Sequence, residues 1–169
     1  RNAMQLVPHS TVKLNNGVEI PHLGLGVYQS PPGKTTQDAV TYALECGYRL
    51  VDTARIYGNE GDVGMIVRES GLARDQVFVT TKLWNSDHGY DPTIRACEES
   101  LRRLGLSYLD LYLIHWPVPG ARKETWKAMT QLVKDGKCRA IGVSNYATRH
   151  LEELLANSDV VPAVNQVEF

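Results

Sequence analysis

Six short apolar runs punctuate the chain at near-regular intervals: HLGLGV (22–27), YRLVD (48–52), VFVTTK (77–82), LDLYLIH (109–115), CRAIGV (138–143) and PAVNQV (162–167). They are continuous rather than alternating. That is the pattern of strands covered on both faces, as in a parallel sheet flanked by helices. Ahead of them, TVKL and VEI flank Asn15-Asn16-Gly17. Two short alternating stretches around Asn-Gly predict a β-hairpin.

The intervening stretches carry helical spacing. Ile94, Cys97, Leu101 and Leu104 recur at three- and four-residue steps, as do Trp126, Met129, Leu132 and Val133 in the next stretch. Further helices are expected over 35–47, 60–71 and 147–157. Gly47, Gly71, Gly105 and Gly136 each follow a helical run, where a left-handed C-terminal cap favours glycine. Asp91-Pro92 is expected to open a helix, with aspartate as cap and proline in the first turn. The whole is a hairpin followed by alternating β and α units. Nothing resembling a linker interrupts it, so 1–169 is expected to be one domain.

A parallel sheet of this kind is doubly wound or a barrel. Polar residues end successive strands: Asp52, Lys82 and His115, then Ser144-Asn145 after the fifth strand and Gln166 within the sixth. A barrel converges such ends on one catalytic face, whereas a doubly wound sheet gathers its site at a switch point. No GxGxxG joins a strand to a helix. The glycines of GNEGDVG (58–64) have another spacing, and the stretch opens a helix well past the end of its strand. The expected fold is therefore an α/β TIM (β/α)8 barrel with an N-terminal hairpin, of which the chain supplies about six βα units.

Composition narrows the partners. The formal net charge is −1 over 169 residues and no basic stripe follows any expected helix, which argues against nucleic acid. No apolar run has the length of a membrane helix, and no secretory pattern opens the chain. Arg1-Asn2-Ala3 before Met4 has the look of an expression scar. Cys46, Cys97 and Cys138 are odd in number and widely spaced, so neither a disulfide framework nor a metal site is expected. Cys46 and Cys97 are expected to be small buried residues of a cytoplasmic protein, taken as a monomer.

Asp52, Tyr57, Lys82 and His115 suggest proton-transfer chemistry. A tyrosine is a weak acid, and an ammonium at hydrogen-bond range would lower its pKa. Asp52 is the natural counter-ion for a buried Lys82. His115 can orient a carbonyl oxygen from the other side. The set suits protonation of an oxyanion formed when hydride reaches a carbonyl carbon. No serine or cysteine nucleophile has an evident base, and one histidine with one aspartate is too few ligands for a catalytic metal. Each residue alone has an ordinary structural explanation; four at successive strand ends do not.

At LNNGVEIPHLGLGVYQS, GYRLVDTARIYGNEGDVG, VFVTTKLWNSDHGYDPT, SLRRLGLSYLDLYLIHWP, GKCRAIGVSN and VVPAVNQVEF the chain closely resembles the aldo-keto reductases. It is most similar to the short-loop microbial and protozoal type, which includes methylglyoxal and diketogluconate reductases and prostaglandin F synthases. The resemblance implies a TIM barrel whose bottom is closed by the hairpin, with NADPH at the C-terminal face and aldehydes or ketones as substrates. By matching position Tyr57 would be the general acid, Lys82 and Asp52 its tuning pair, and His115 the substrate-orienting group. Ser144, Asn145 and Gln166 would hold the nicotinamide carboxamide, and Asp52 would approach its ribose. Trp84 and Trp116 would wall the substrate pocket beside Tyr28, where many relatives carry tryptophan. Eight strands are implied and six are present, so the chain is expected to be the N-terminal part of a longer protein. Two other functions stay open: a non-catalytic nicotinamide-binding barrel that senses redox state or scaffolds a partner, and an inactive fragment.

Overall fold

A computed structural model describes residues 10–168. The expression-scar reading of residues 1–3 lies outside them. The hairpin comes first, β1 (Thr11–Lys13) against β2 (Glu19–Pro21), in antiparallel register with Val12 opposite Ile20. Gly17 N–H donates to Leu14 O, and Leu14 N–H returns to Val18 O. Gly17 has φ 88°. A turn closed by a left-handed glycine makes this a three-residue hairpin loop.

Six strands then form one parallel sheet: β3 (Leu25–Gly26), β4 (Leu50–Asp52), β5 (Phe78–Leu83), β6 (Leu109–Ile114), β7 (Cys138–Ser144) and β8 (Asn165–Gln166). They lie side by side in sequence order. The helices between them are α1 (Lys34–Glu45), α2 (Glu60–Glu69), α3 (Tyr90–Leu104), α4 (Arg122–Lys134) and α5 (Thr148–Ala156). Every residue of β5 and β6 is buried, as continuous apolar runs require. Among the described residues β3 and β8 are the two sheet edges.

The sheet is strongly curled. Neighbouring strands stand about 4.8 Å apart, so β4 and β8 would be roughly 19 Å apart if flat. Yet Gln166 Nε2 donates to Asp52 Oδ2 at 2.7 Å. Side chains of this length could not meet across an uncurved sheet. Six parallel strands curled with helices outside make a partial TIM barrel.

Two apolar clusters follow from the curl. One lies between the sheet and its helices, around Val79, Tyr112, Ile114, Leu104 and Met129. The other fills the concave side, where Phe78, Leu111, Leu113 and Ala140 meet Leu14, Val18 and Ile20 of the hairpin. Asn15 and Asn16 tie the hairpin loop to the carbonyls of Pro162 and Arg139. The hairpin thus covers the N-terminal end of the strands, and the opposite end stays open.

Gly47, Gly71, Gly105 and Gly136 all have positive φ, as their helix-ending positions demand. Several local expectations need correction. Helix α3 starts at Tyr90, one residue before Asp91, because Gly89 caps it with φ 111° and gives its N–H to Thr125 Oγ1. Val133 is 36% exposed while Trp126, Met129 and Leu132 are buried, so the α4 stripe is narrower than its apolar residues suggested. Cys46 caps the end of α1 and is exposed; only Cys97 and Cys138 are buried. Both edge strands are shorter than their apolar runs, for want of a second neighbour to pair with.

Candidate active site

The open end of the curled sheet gathers the polar strand ends. Asp52 ends β4, Lys82 is the fifth residue of β5, His115 follows β6, Ser144 ends β7 and Gln166 ends β8. Tyr57 arrives from outside the strands, on a single 3-10 turn over Arg55–Tyr57 that Gly58 ends with φ 71°. Behind that turn lies buried Asn59. It accepts from Thr53 Oγ1 at 2.6 Å and donates to Val27 O and Ser30 O at 3.1 and 3.2 Å. One side chain thereby fixes the Tyr57 loop to the Tyr28 loop, and the two rings stand 5.4 Å apart.

Lys82 is 1% exposed, so its charge must be matched. Its Nζ donates to Asp52 Oδ1 and to Thr53 O. Asp52 is held from the other side by Gln166. The ammonium lies over the Tyr57 ring, 5.2 Å from its centre. No hydrogen bond joins it to the phenol oxygen among the described residues. The expectation that Lys82 lowers the Tyr57 pKa is therefore not met in this arrangement. Burial pushes the Tyr57 phenol far above its ordinary value, and the nearby carboxylates of Glu168 and Asp52 push it further. A phenol so placed stays protonated across neutral pH.

His115 is buried edge-on to Tyr57, with ring centres 5.9 Å apart. Its Nε2 meets Glu168 Oε1 at 2.7 Å. An ionised carboxylate has no proton to donate, so Nε2 carries the hydrogen and Nδ1 is bare. Burial lowers the His115 pKa more than Glu168 raises it, which keeps the ring neutral. An Nε2–H aimed at the mouth is a donor that can grip an oxygen without adding charge.

Glu168 had no place among the expected site residues. It lies two positions after Gln166, and side chains two apart along a strand share a face. That alternation was the available signal. Its backbone N–H donates to Asn145 Oδ1 at 3.0 Å. Asn145 has φ 60°, a left-handed conformation more tolerable for asparagine than for most residues. Its amide donates to His115 O and to Ser144 Oγ, and Ser144 Oγ donates to Gln166 O. Asn145 thus links three strand ends.

A cleft of about 660 Å³ opens beside this cluster, lined by Tyr28, Asp52, Tyr57, Trp116, Gln166 and Glu168 among others. Trp116 lies parallel to His115 with 7° between the planes. Trp84 stands edge-on behind His115, at 5.4 Å, and does not line the cleft. Tyr28 and Trp116 are brought to the candidate pocket, and Trp84 supports it from behind. Among the described residues no cluster of histidine, cysteine and carboxylate side chains could hold a metal, and no helix is long and apolar enough to cross a membrane.

A primary carboxamide needs both donors and acceptors around it. Gln166 Oε1 has no partner among the described residues and can accept, while the Asn145 amide and the Ser144 hydroxyl, paired with His115 O, Ser144 Oγ and Gln166 O, become donors to such a group by exchanging those partners. In residue type, the amide, hydroxyl and carbonyl oxygen at these strand ends fit a nicotinamide carboxamide.

The sequence profile described as "Aldo/keto reductase family" matches residues 22–169. Glyoxal reductase of Bacillus subtilis (strain 168) is 55% identical over 159 residues, covering 94% of this chain and 58% of that protein. The chain therefore spans little more than half the length of this curated relative. The crystal structure of an aldo/keto reductase from Brucella melitensis superposes with a TM-score of 0.91 at 50% identity, over 95% of this chain and 63% of that one. The Bombyx mori aldo-keto reductase in complex with NADP gives 0.89 at 38% identity, over 96% and 59%. On the profile match, the identities and the shared fold, the chain belongs to the aldo/keto reductase family.

Proposed function

We propose that the chain carries the acid–base part of an NADPH-dependent carbonyl reductase that converts small aldehydes and ketones to alcohols. One observation carries this reading. A carboxylate oxygen of Glu168 sits 2.7 Å from His115 Nε2 and faces Tyr57. It stands in for the oxygen of a bound carbonyl, held between a neutral N–H donor and a protonated phenol.

With a substrate there instead, His115 Nε2–H would orient the carbonyl oxygen, and Tyr57 would give it a proton as negative charge develops. Lys82, tied to Asp52 and Thr53 O, would stabilise the resulting phenolate through the ring it overlies. Ser144, Asn145 and Gln166 would hold the nicotinamide carboxamide, with Asp52 near its ribose. The cofactor would supply the hydride. Tyr28 and Trp116 would wall the substrate, with Trp84 behind. NADPH is favoured by the NADP bound in the Bombyx mori relative, and dicarbonyl substrates by the name of the Bacillus subtilis one.

We take the sheet as six strands of an eight-stranded barrel, in keeping with its unpaired edges and the length of its relatives. Three free thiols agree with a cytoplasmic enzyme. The test is NADPH oxidation in the presence of methylglyoxal, on the protein extended to the length of its relatives. Substrate-dependent oxidation is the expected result. NADPH binding with no turnover on methylglyoxal or a nitrobenzaldehyde would support the redox-sensing scaffold instead.

A further inference from the structure

A second cavity, of about 310 Å³, lies far from the barrel mouth chemistry, on the outer surface between α4 and α5. Its size falls within the range of small-molecule sites. The floor is apolar and aromatic: Trp126, Tyr146 and Leu154 are each at least nine-tenths buried there. The indole N–H of Trp126 donates to Val160 O at 3.2 Å, which fixes the ring that forms the floor. None of these side chains belongs to the candidate active site.

Its charged lining is mostly cationic, with Arg122, Lys123, Lys127 and Lys134 against Glu153. Tyr146 is 6% exposed, and its hydroxyl has no hydrogen-bond partner among the described residues. It lies within electrostatic reach of Arg122 and Glu153, which are already paired with each other at 2.6 Å. His150 Nδ1 accepts the Ala147 N–H at 3.0 Å, so in the neutral ring the proton is on Nε2, a donor with no hydrogen-bond partner among the described residues. Lys123 and Lys134 also line the cavity and make no ion pair among the described residues. They are eleven positions apart on one helix, which places them about 16 Å apart along the groove. The only acidic lining group, Glu153, is neutralised by Arg122. The groove thus offers a phenol, an imidazole N–H and two ammonium groups, with no free acceptor of matching charge.

We propose that this groove is a binding site for a small aromatic carboxylate. The flat body would lie on Trp126 and Tyr146, and the acid group would take the Tyr146 hydroxyl, His150 Nε2–H and one flanking lysine. Aromatic rings stack favourably on such a floor, and hydrogen bonds to an ionised group are the stronger kind. A neutral aromatic of the same shape would leave the donors unmatched.

The probe is 2-naphthoate, with 2-naphthalenemethanol as its neutral counterpart, titrated into the protein and followed by NMR of the Trp126 indole N–H. The expected result is saturable binding of the naphthoate with local shifts on α4 and α5. Tyr146→Phe and Lys134→Glu, neither of which removes core packing, should each weaken it by about tenfold. Tyr57→Phe should leave it unchanged, which separates this groove from the reading of the barrel mouth. The proposal is overturned by three results: no binding at millimolar naphthoate, equal affinity for the neutral alcohol, or binding lost in Tyr57→Phe but kept in the groove variants.

Discussion

At the scale of single residues, the site depends on where charges are already committed. Lys82 has spent its charge on Asp52 and Thr53 O, so it touches Tyr57 through the ring rather than the oxygen. Residue types could name both partners, but not this division of contacts, which depends on where a 3-10 turn delivers the phenol. Burial, then the charges of Glu168 and Asp52, hold the Tyr57 phenol above its ordinary pKa. Glu168→Gln removes one of the raising charges. The alkaline limb of the pH–rate profile, or a phenolate titration by absorbance, should then move to lower pH; an unmoved limb would show that Glu168 does not face the phenol in solution. Asn59 is the other residue with a large expected effect. Asn59→Leu strands Thr53 Oγ1 and two carbonyl contacts in a buried place. The expected cost is about 2–4 kcal/mol, measured by urea unfolding. A loss below about 0.5 kcal/mol would mean that the network is not formed.

At the scale of elements, strand order and helix placement were legible because continuous apolar runs and glycine stops agree with each other. Boundaries were less so. Asp91-Pro92 has the look of a helix start, but a glycine two residues before Asp91 can take φ 111° and capture Thr125, which an aspartate cap does not offer. The glycines of GNEGDVG have a structural explanation here. A Cβ on Gly64 would sit 2.0 Å from Leu104 O, so α2 can approach the end of α3 only without a side chain there. Gly64→Ala must push two helices apart. The expected loss is about 2–4 kcal/mol and a lower melting temperature, with the catalytic cluster left chemically intact. An unchanged melting temperature would contradict the close approach of α2 and α3.

At the scale of the whole molecule, the curl of the sheet turns a linear order of strand ends into one face. It was legible in outline from six runs with polar residues at their ends. What the sequence concealed was the concave side: only the fold brings Gln166 to Asp52 across 114 positions and seats the hairpin on Phe78 and Leu111. Two histidines, buried His115 and half-buried His88, also affect the entire domain. Burial lowers the pKa of both His88 and His115 below the unfolded value. The unfolded chain then binds more protons, so the stability they contribute is complete above about pH 6.5 and declines as pH falls toward their folded values. The urea midpoint should drop between about pH 7.5 and pH 5.5, and His88→Gln should flatten that drop.

The central claim is that Tyr57 delivers the proton to a carbonyl oxygen oriented by His115. The most direct measurement compares Tyr57→Phe with the unsubstituted protein, both extended to the length of their relatives, in NADPH-dependent reduction of methylglyoxal. The change removes one oxygen and keeps the ring that packs on Tyr28 and underlies Lys82. The expected result is a fall in kcat of about a hundredfold or more, with NADPH affinity nearly unchanged. A variant that retains its turnover would contradict the claim.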